Sequence, residues 1–268
     1  LILCARTSIH ERYRPKLLDL KLHEISIDVL SGKEVDEFID IIDNIGYWGE
    51  KASLPKHSKQ FLIQDKYRSQ ISLNLLSLLS APQIVSRVQT LMRELLSQLE
   101  YKDTIFAIAL LSANDMPLNS SLISEIALNN AIYSSTLRDN KNFRQLFKLD
   151  GTKISSKSSI FCTFLISQSF DSAYIVDQLL KIVSSINDEN IELKNIQKNL
   201  LKFSVIERLL PEKNRIQNLV RYYENLKREI SWLKEDPHFW LQYGMARLTY
   251  KQYDTAQGYF DQAYSLAK

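Results

Sequence analysis

This sequence contains little glycine and no long apolar run. Only 6 of the 268 residues are glycine, well below the share of about 7% that is usual in globular proteins. Open α/β sheets, sandwiches and barrels use glycine in their turns, so this scarcity favours helices joined by short loops. No run of about 18 consecutive apolar residues occurs either. We therefore expect a mainly α-helical protein that has no membrane partner.

Cysteine and net charge are also low. Cys4 and Cys162 lie far apart and are too few for a disulfide framework, so a cytoplasmic location is expected. The formal net charge of +3 is too small to indicate a nucleic-acid partner. Both cysteines have apolar neighbours, which suits small buried hydrophobic residues better than nucleophiles.

Motifs that carry catalysis are missing as well. Gly32-Lys33 is followed by Glu34 and lacks the upstream glycine of a phosphate-binding loop. The histidines are scattered through the chain: His10, His23, His57 and His238. We expect neither a metal site nor a catalytic residue.

The beginning of the chain is typical of the end of an α/β domain. Leu1–Ala5 is an unbroken apolar run, as in a strand covered on both faces, and the lack of an initial Met indicates a fragment of a longer protein. Alternating apolar and polar residues predict a half-buried strand over Leu22–Val29. Ser31 and Glu34 form a capping box that begins a helix, and Gly46 is a suitable end for it.

Apolar stripes at helical spacing continue through the rest of the chain. The expected helices lie at about 61–79, 83–99, 101–113, 131–139, 158–168, 172–186, 192–210 and 213–232, with a short one capped by Ser120 or Ser121. Asp150-Gly151, between Leu146–Leu149 and Thr152–Ile154, predicts a β-hairpin because this dipeptide supplies the positive φ angles of a tight turn. Three helices followed by a hairpin is the order of a winged helix.

A winged helix can bind DNA, but here the sequence argues against it. The segment expected to enter the groove, Ser120–Ser135, contains Glu125 and no Lys or Arg. A recognition helix needs cations for phosphates and amide or guanidinium groups for base edges. Asn129 and Asn130 are its only amides. We expect no direct nucleic-acid binding.

The last segment carries the most specific pattern. Five residues fall where a tetratricopeptide repeat has its aromatic and small residues: Trp240, Gly244, Ala256, Phe260 and Ala263. Small residues let two helices approach closely, and aromatic rings fill the gap. Trp232, Phe239 and Trp240 are therefore expected in the core of this repeat rather than as a platform for stacking bases. One repeat cannot bury its own faces, so we expect it to pack on preceding helices or on further repeats.

Arg6 is the one specific candidate for a ligand-binding residue in this sequence. It follows the apolar run Leu1–Ala5, at the end of the expected strand, where open α/β sheets place ligand-binding groups. Its guanidinium could report the γ-phosphate of a nucleotide through a charge-assisted hydrogen bond. In the alternative, Arg6 forms an ion pair with a carboxylate of a neighbouring domain. Its position in the sequence does not distinguish the two roles.

The order of these parts resembles the C-terminal half of the STAND class, the signal-transduction ATPases with numerous domains. The segments that resemble it are Leu3–Thr7 (sensor strand), Ile25–Val35 (next strand and helix), Asn142–Phe147, Asp150-Gly151 and Ile154–Ile160 (wing region), and Phe239–Ala246 (repeat entry). The implied domains are the end of an α/β P-loop domain (1–46), a helical lid (47–100), a winged helix (101–170), a helical connector (171–232) and a tetratricopeptide-like repeat (233–268).

The resemblance implies a nucleotide switch. ADP keeps such a protein closed, a protein ligand on the repeats opens it, and ATP replaces ADP. The subunits then assemble into a homo-oligomer that activates an N-terminal effector, in many bacterial members for antiviral (antiphage) defence. Arg6 matches the sensor arginine of the class, and ATP or ADP is the implied cofactor of the full-length protein.

Two other classes of function remain open. One is a transcriptional regulator of the same ATPase class, with its DNA-binding domain outside this chain. The other is a helical scaffold for protein interactions that binds no nucleotide, in which Arg6 is only an ion-pair partner. A nucleotide titration on the full-length protein separates the scaffold from the switch.

Overall fold

The computed structural model of this chain is mainly α-helical, as the glycine content predicts. It describes residues 23, 25, 27–79, 81–151, 153–186 and 190–267. Within these residues the strands form one two-stranded antiparallel sheet. Arg6 and the expected strand Leu1–Ala5 lie outside the described residues.

The described residues form two compact units. The first unit contains the described residues up to Ile45 together with Ser53–Asn74. The second contains Gly46–Ala52 and the described residues from Leu75 onwards.

Helix α1 (Gly32–Ile45) of the first unit begins at the predicted capping box. The Ser31 backbone N–H donates to Glu34 Oε2 at 2.7 Å, and the Glu34 N–H donates to Ser31 Oγ at 3.4 Å. Gly46 follows the helix with a φ of +69°, a left-handed conformation that glycine adopts without steric cost. The buried face of α1 consists of Val35, Ile39 and Ile42. Both predicted ends of this helix are confirmed.

The predicted strand Leu22–Val29 is not seen in its described residues. Val29 makes an isolated antiparallel bridge with Gln70, while the side chains of Ile25 and Ile27 are 74% and 82% exposed. A period-two pattern produces a half-buried strand only when another element covers one of its faces. No described element covers Ile25 or Ile27.

The predicted helix at 61–79 is interrupted. Helix α2 spans Lys56–Phe61 and continues into a π-helical turn at Leu62–Lys66, and α3 begins only at Ile71 and ends at Leu79. Arg68 and Ser69 have φ values of +51° and +55°, which a continuous right-handed helix does not accommodate. The apolar spacing of this segment therefore spans two helices.

After Gly46–Ala52 and the end of α3, the second unit continues with helices and a hairpin. These elements are α4 (Pro82–Leu95), α5 (Leu99–Ala113), α6 (Ser120–Ala127), α7 (Ser135–Arg138), α8 (Lys141–Leu146), β1 (Phe147–Asp150) and β2 (Lys153–Ser156). Every residue of α5 from Thr104 to Ala113 is buried, so this helix is central to the core. The N-cap of α6 is Asn119, whose Oδ1 accepts the N–H of Leu122 at 2.8 Å, rather than Ser120 or Ser121.

The hairpin lies where Asp150-Gly151 predicts it. Asp150 pairs with Lys153, and Gly151 has a φ of +57°. The helix that leads directly into the hairpin is α8, and the segment Ser120–Ser135 lies earlier in the chain. The sequence argument about DNA binding therefore concerns a segment that does not lead directly into the hairpin.

The rest of the second unit is helical. Its elements are α9 (Ser159–Ser169), α10 (Ser172–Ser185), α11 (Ile191–Leu201), α12 (Phe203–Leu209), α13 (Arg215–Glu229), α14 (Pro237–Thr249) and α15 (Tyr253–Leu266). The predicted helix at 192–210 is two helices, because Lys202 is extended, with φ −69° and ψ 126°. One hydrophobic core runs through this unit from Val88 to Ala246. In the described part of the chain no single helix combines the length and hydrophobicity of a membrane span.

Candidate functional site

Helices α14 and α15, here called the C-terminal pair, pack closely where Gly244 of one helix faces the ring of Phe260 of the other. A Cβ at Gly244 would lie 2.5 Å from Cε1 of Phe260. Ala256 and Ala263 of α15 are buried, with 1% and 7% exposure. Small side chains at these three positions are thus found where the pair is closely packed, and at Gly244 an added Cβ would meet the Phe260 ring.

The aromatic residues that form the core of the C-terminal pair are not all those expected from the sequence. Phe239 and Tyr243 are fully buried. Trp240 is partly buried, and its indole N–H donates to the Lys234 carbonyl at 2.8 Å. Trp232 is 46% exposed, so the expectation that it lies in the core is wrong. It belongs to a 3-10 helix, in which the α-helical spacing used to group it with Phe239 does not apply.

A polar network ties the C-terminal pair to α13. The hydroxyl of Tyr243 donates to Glu224 Oε1 at 2.5 Å, and Arg247 Nη2 lies 3.4 Å from the same oxygen. Lys227 Nζ lies 2.9 Å from Glu224 Oε2. The ring of Tyr223, on α13, stacks on that of Tyr243, with centroids 4.8 Å apart. One carboxylate thus holds groups from two helices.

The network favours the charged form of its carboxylate. Burial by itself raises the pKa of Glu224, but hydrogen bonds from Tyr243 and Lys227 and the charges of Lys227 and Arg247 outweigh it and leave the pKa lowered. Burial and the bond to Glu224 raise the pKa of Tyr243 well above its ordinary value. Near neutral pH the tyrosine therefore donates to a carboxylate, which is a structural arrangement rather than a proton relay.

Sequence reasoning identified the small residues of this site and missed its acid. Glu224 lies 19 residues before Tyr243, and no spacing rule connects positions on different helices at that distance. The four-residue separation of Tyr243 and Arg247 was the available signal, since it places both on one face of α14.

A second polar cluster joins α5 to α10. Asp103 Oδ1 accepts from the Tyr174 hydroxyl at 2.5 Å and from Gln178 Nε2 at 3.1 Å. Lys102 Nζ lies 3.8 Å from the centroid of the Tyr174 ring. Burial, followed by the bond to Asp103, raises the pKa of Tyr174 far above its ordinary value. The cluster fixes two core helices.

Cys162 is a buried thiol, as the sequence predicts. It has no measurable exposure, and burial raises its pKa despite hydrogen bonds from Ser112 and Ser156. A reactive cysteine needs a lowered pKa and access. Cys162 therefore acts as a small hydrophobic residue. In the part of the chain that the structure describes, no group of three His, Cys, Asp or Glu residues could hold a metal ion.

Comparison with protein-family models, with curated proteins and with solved structures found no match to this chain.

Proposed function

We propose that this chain is the regulatory part of a STAND-class ATPase, which couples a protein ligand on its C-terminal helices to nucleotide-dependent assembly. The helices within residues 47–100 would form the lid, and the elements within residues 101–170 would form the winged helix. The C-terminal pair would be a tetratricopeptide-like repeat. In this proposal the full-length protein binds ATP or ADP and serves in antiviral defence.

The order of the described elements supports the proposed winged helix. Helices α5 and α6, then α7 and α8, precede the hairpin. The Ile154 N–H donates to the Leu118 carbonyl at 3.1 Å, and Asn119 forms a bridge with Lys153. The segment between α5 and α6 therefore pairs with the edge of the hairpin, as the first strand of a winged helix would.

The observation that carries the proposal is the packing of the C-terminal pair. Gly244 of one helix faces Phe260 of the other, and small Ala256 and Ala263 are buried between them. This is the combination of small and aromatic residues that a tetratricopeptide repeat uses. Repeats of this class present extended surfaces to other proteins.

The outer surface of α14 suits a protein ligand. Leu241, Met245 and Leu248 are 43%, 41% and 46% exposed. Their spacing of four and three residues places them in one row along the helix. An apolar row on a helix surface is a feature of protein-binding sites.

The proposed sensor is Arg6, which a nucleotide experiment on the full-length protein can test. ATP and ADP affinities and ATP-driven oligomerisation would be compared for the wild type, Arg6→Ala and the control Arg12→Ala, which also removes one cation from the beginning of the chain. A charge-assisted contact contributes about 1.5–3 kcal/mol, so Arg6→Ala should weaken the preference between ATP and ADP by about ten- to a hundredfold. Arg12→Ala should leave it unchanged.

Two outcomes would contradict this proposal. Full-length protein that binds neither nucleotide would favour the helical scaffold for protein interactions. An unchanged nucleotide preference and unchanged assembly in Arg6→Ala, at equal thermal stability, would leave Arg6 as an ion-pair partner.

A further inference from the structure

Positive charge is concentrated around the hairpin. Residues 135–157 contain six cations and two acids, a net charge of +4, whereas the whole chain has a net charge of +3. The cations are Arg138, Lys141, Arg144, Lys148, Lys153 and Lys157. We call this segment, which comprises α7, α8 and the hairpin, the basic hairpin surface. The remainder of the chain has a slight negative balance, so a polyanion would be attracted to this surface rather than to the protein in general.

Hydrogen bonds hold the helices and the turn of this surface together. A guanidinium nitrogen of Arg138 donates to the carbonyl of Gly151 in the hairpin turn. The Nε–H of Arg144 donates to the carbonyl of Arg138 at 2.8 Å, and Arg144 also pairs with Asp139. One of the two acids is therefore already matched within the surface. These bonds fix the backbone segments that carry the remaining cations before any partner binds.

The lysines of this surface face solvent. In the hairpin register Lys148 lies opposite Ser155, and Asp150 lies opposite Lys153, so both lysines are on the outer face. The inner face carries the buried Phe147 and Ile154. Lys141, Lys148 and Lys153 are exposed, and none of the three makes an ion pair with another described residue. They are available to an external anion.

An open groove lies beside α8. It has a volume of about 460 Å³ and lies between α4 and α8. No acid lines it, and its lining consists of Gln83, Ser86, Arg87, Thr90, Leu91 and Gln145.

Glu94 is the nearby carboxylate, and it accepts hydrogen bonds from Asn140 and Asn142 at 3.3 and 2.9 Å. Of the amide side chains on α8, Gln145 is exposed and Asn142 is engaged by Glu94.

We propose that the basic hairpin surface binds the phosphate backbone of a duplex nucleic acid with little sequence preference. Phosphates are contacted chiefly by Lys and Arg, whereas base edges are read by free amide and guanidinium groups. This surface has many cations and few free amides, so backbone contacts dominate. A helix followed by a hairpin can enter one groove and contact the adjacent backbone, because the major groove of B-DNA is about 12 Å wide and admits a helix.

Two observations favour a duplex over an anionic membrane. Among the described residues of 135–157 no large apolar side chain is exposed, whereas proteins that lie on membranes insert an apolar face. The cations also extend over two helices and two strands, and a duplex offers evenly spaced phosphates across such a width. This inference concerns a surface and a partner separate from nucleotide switching, and it stands if the proposed switch fails.

Binding of a fluorescently labelled mixed-sequence DNA duplex to the full 268-residue chain tests the proposal by fluorescence anisotropy. The wild type should bind with an affinity that falls steeply between about 50 mM and about 200 mM salt, with a logarithmic slope near −5 for six phosphates. The triple variant Lys141→Glu, Lys148→Glu, Lys153→Glu should bind at least about tenfold more weakly, with a slope reduced by about 3.

The matched control is Lys181→Glu, Lys213→Glu, Lys234→Glu, which changes the net charge equally at exposed lysines elsewhere. It should retain wild-type salt dependence and most of the affinity. A neutralising set, Lys141→Gln, Lys148→Gln, Lys153→Gln, gives the same comparison if the charge reversals impair folding, which circular dichroism would reveal.

Four results would overturn the proposal. The first two are the absence of duplex binding at about 50 mM salt and an equal loss of affinity in the control triple. The third is stronger binding to polyglutamate or to phosphatidylserine vesicles than to the duplex. The fourth is wild-type affinity in both variants of the basic hairpin surface, which would show that the duplex binds elsewhere.

Discussion

The ring of Phe260 occupies the space into which a side chain at Gly244 would project. Its Cε1 atom lies 2.5 Å, and its Cδ1 atom 2.6 Å, from the position of a Cβ on that glycine. These distances are shorter than any ordinary carbon–carbon contact. A Cβ at residue 244 therefore requires the Phe260 ring to shift or the two helices of the C-terminal pair to move apart.

Gly244→Ala should therefore destabilise the C-terminal pair by about 1–3 kcal/mol, the usual effect of overpacking. The matched control is Gly258→Ala on α15, where a Cβ would meet nothing within 4 Å and where alanine should stabilise the helix by about 0.5–1 kcal/mol. Denaturant unfolding followed by circular dichroism measures both. If the two alanine substitutions shift the denaturant midpoint in the same direction, the description of close packing at Gly244 is contradicted.

Three aromatic substitutions should separate core from surface. Phe239→Ala should cost about 3–5 kcal/mol because this ring is fully buried. Trp240→Ala should cost less because the side chain is only partly buried, and Trp232→Ala should change stability by less than about 0.5 kcal/mol. Thermal unfolding and protease resistance of the C-terminal pair rank the three substitutions by how much they destabilise the protein. A larger effect for Trp232 than for Phe239 would contradict the description of this core.

Glu224→Gln should destabilise the contact between α13 and the C-terminal pair by about 1–2 kcal/mol near neutral pH, after allowance for solvent screening. The folded state lowers the pKa of Glu224, so its contribution is present above the unfolded value of about 4.3. That contribution is lost as the pH falls through the lowered folded pKa.

The measurement for Glu224 is the difference in unfolding free energy between wild type and Glu224→Gln from neutral to acidic pH. It should be constant above the unfolded pKa and shrink below it. Asp177→Asn serves as the control, since Asp177 forms a more exposed ion pair with Arg221. A wild-type-minus-variant difference that grows toward acid would refute the role given to Glu224.

Asn119→Ala should destabilise α6 by about 0.5–2 kcal/mol, because the Asn119 side chain caps the Leu122 N–H. Ser121→Ala, at an exposed position in the first turn of the same helix, should have a much smaller effect. Thermal unfolding of the two variants compares them directly. Equal destabilisation by the two substitutions would contradict the assignment of Asn119 as N-cap and favour the serines that the sequence suggested.

Local patterns predicted local structure in this chain. The capping box at Ser31 and Glu34 marks the beginning of α1, and Asp150-Gly151 marks the hairpin turn. The small side chains of Gly244, Ala256 and Ala263 were identified from their spacing. Each of these features depends on neighbours within one helix turn, one hairpin or one helix pair, so the residues that decide it stand close together in the sequence.

Tertiary structure alone decided where helices break and which distant residues meet. The positive φ angles at Arg68 and Ser69 interrupt a continuous apolar pattern, and Trp232 is exposed although its spacing suited a core position. Glu224 reaches Tyr243 on a different helix.

The basic hairpin surface depends on both levels: its cations lie close together in the sequence, whereas the strand register places Lys148 and Lys153 on the outer face of the hairpin. The sequence by itself determined the helical character of the chain, its caps and its turn, because backbone propensity and side-chain periodicity act over a few residues. Burial and contacts between distant residues depend on which surfaces of separate helices are brought together, and periodicity within one helix carries no information about that choice.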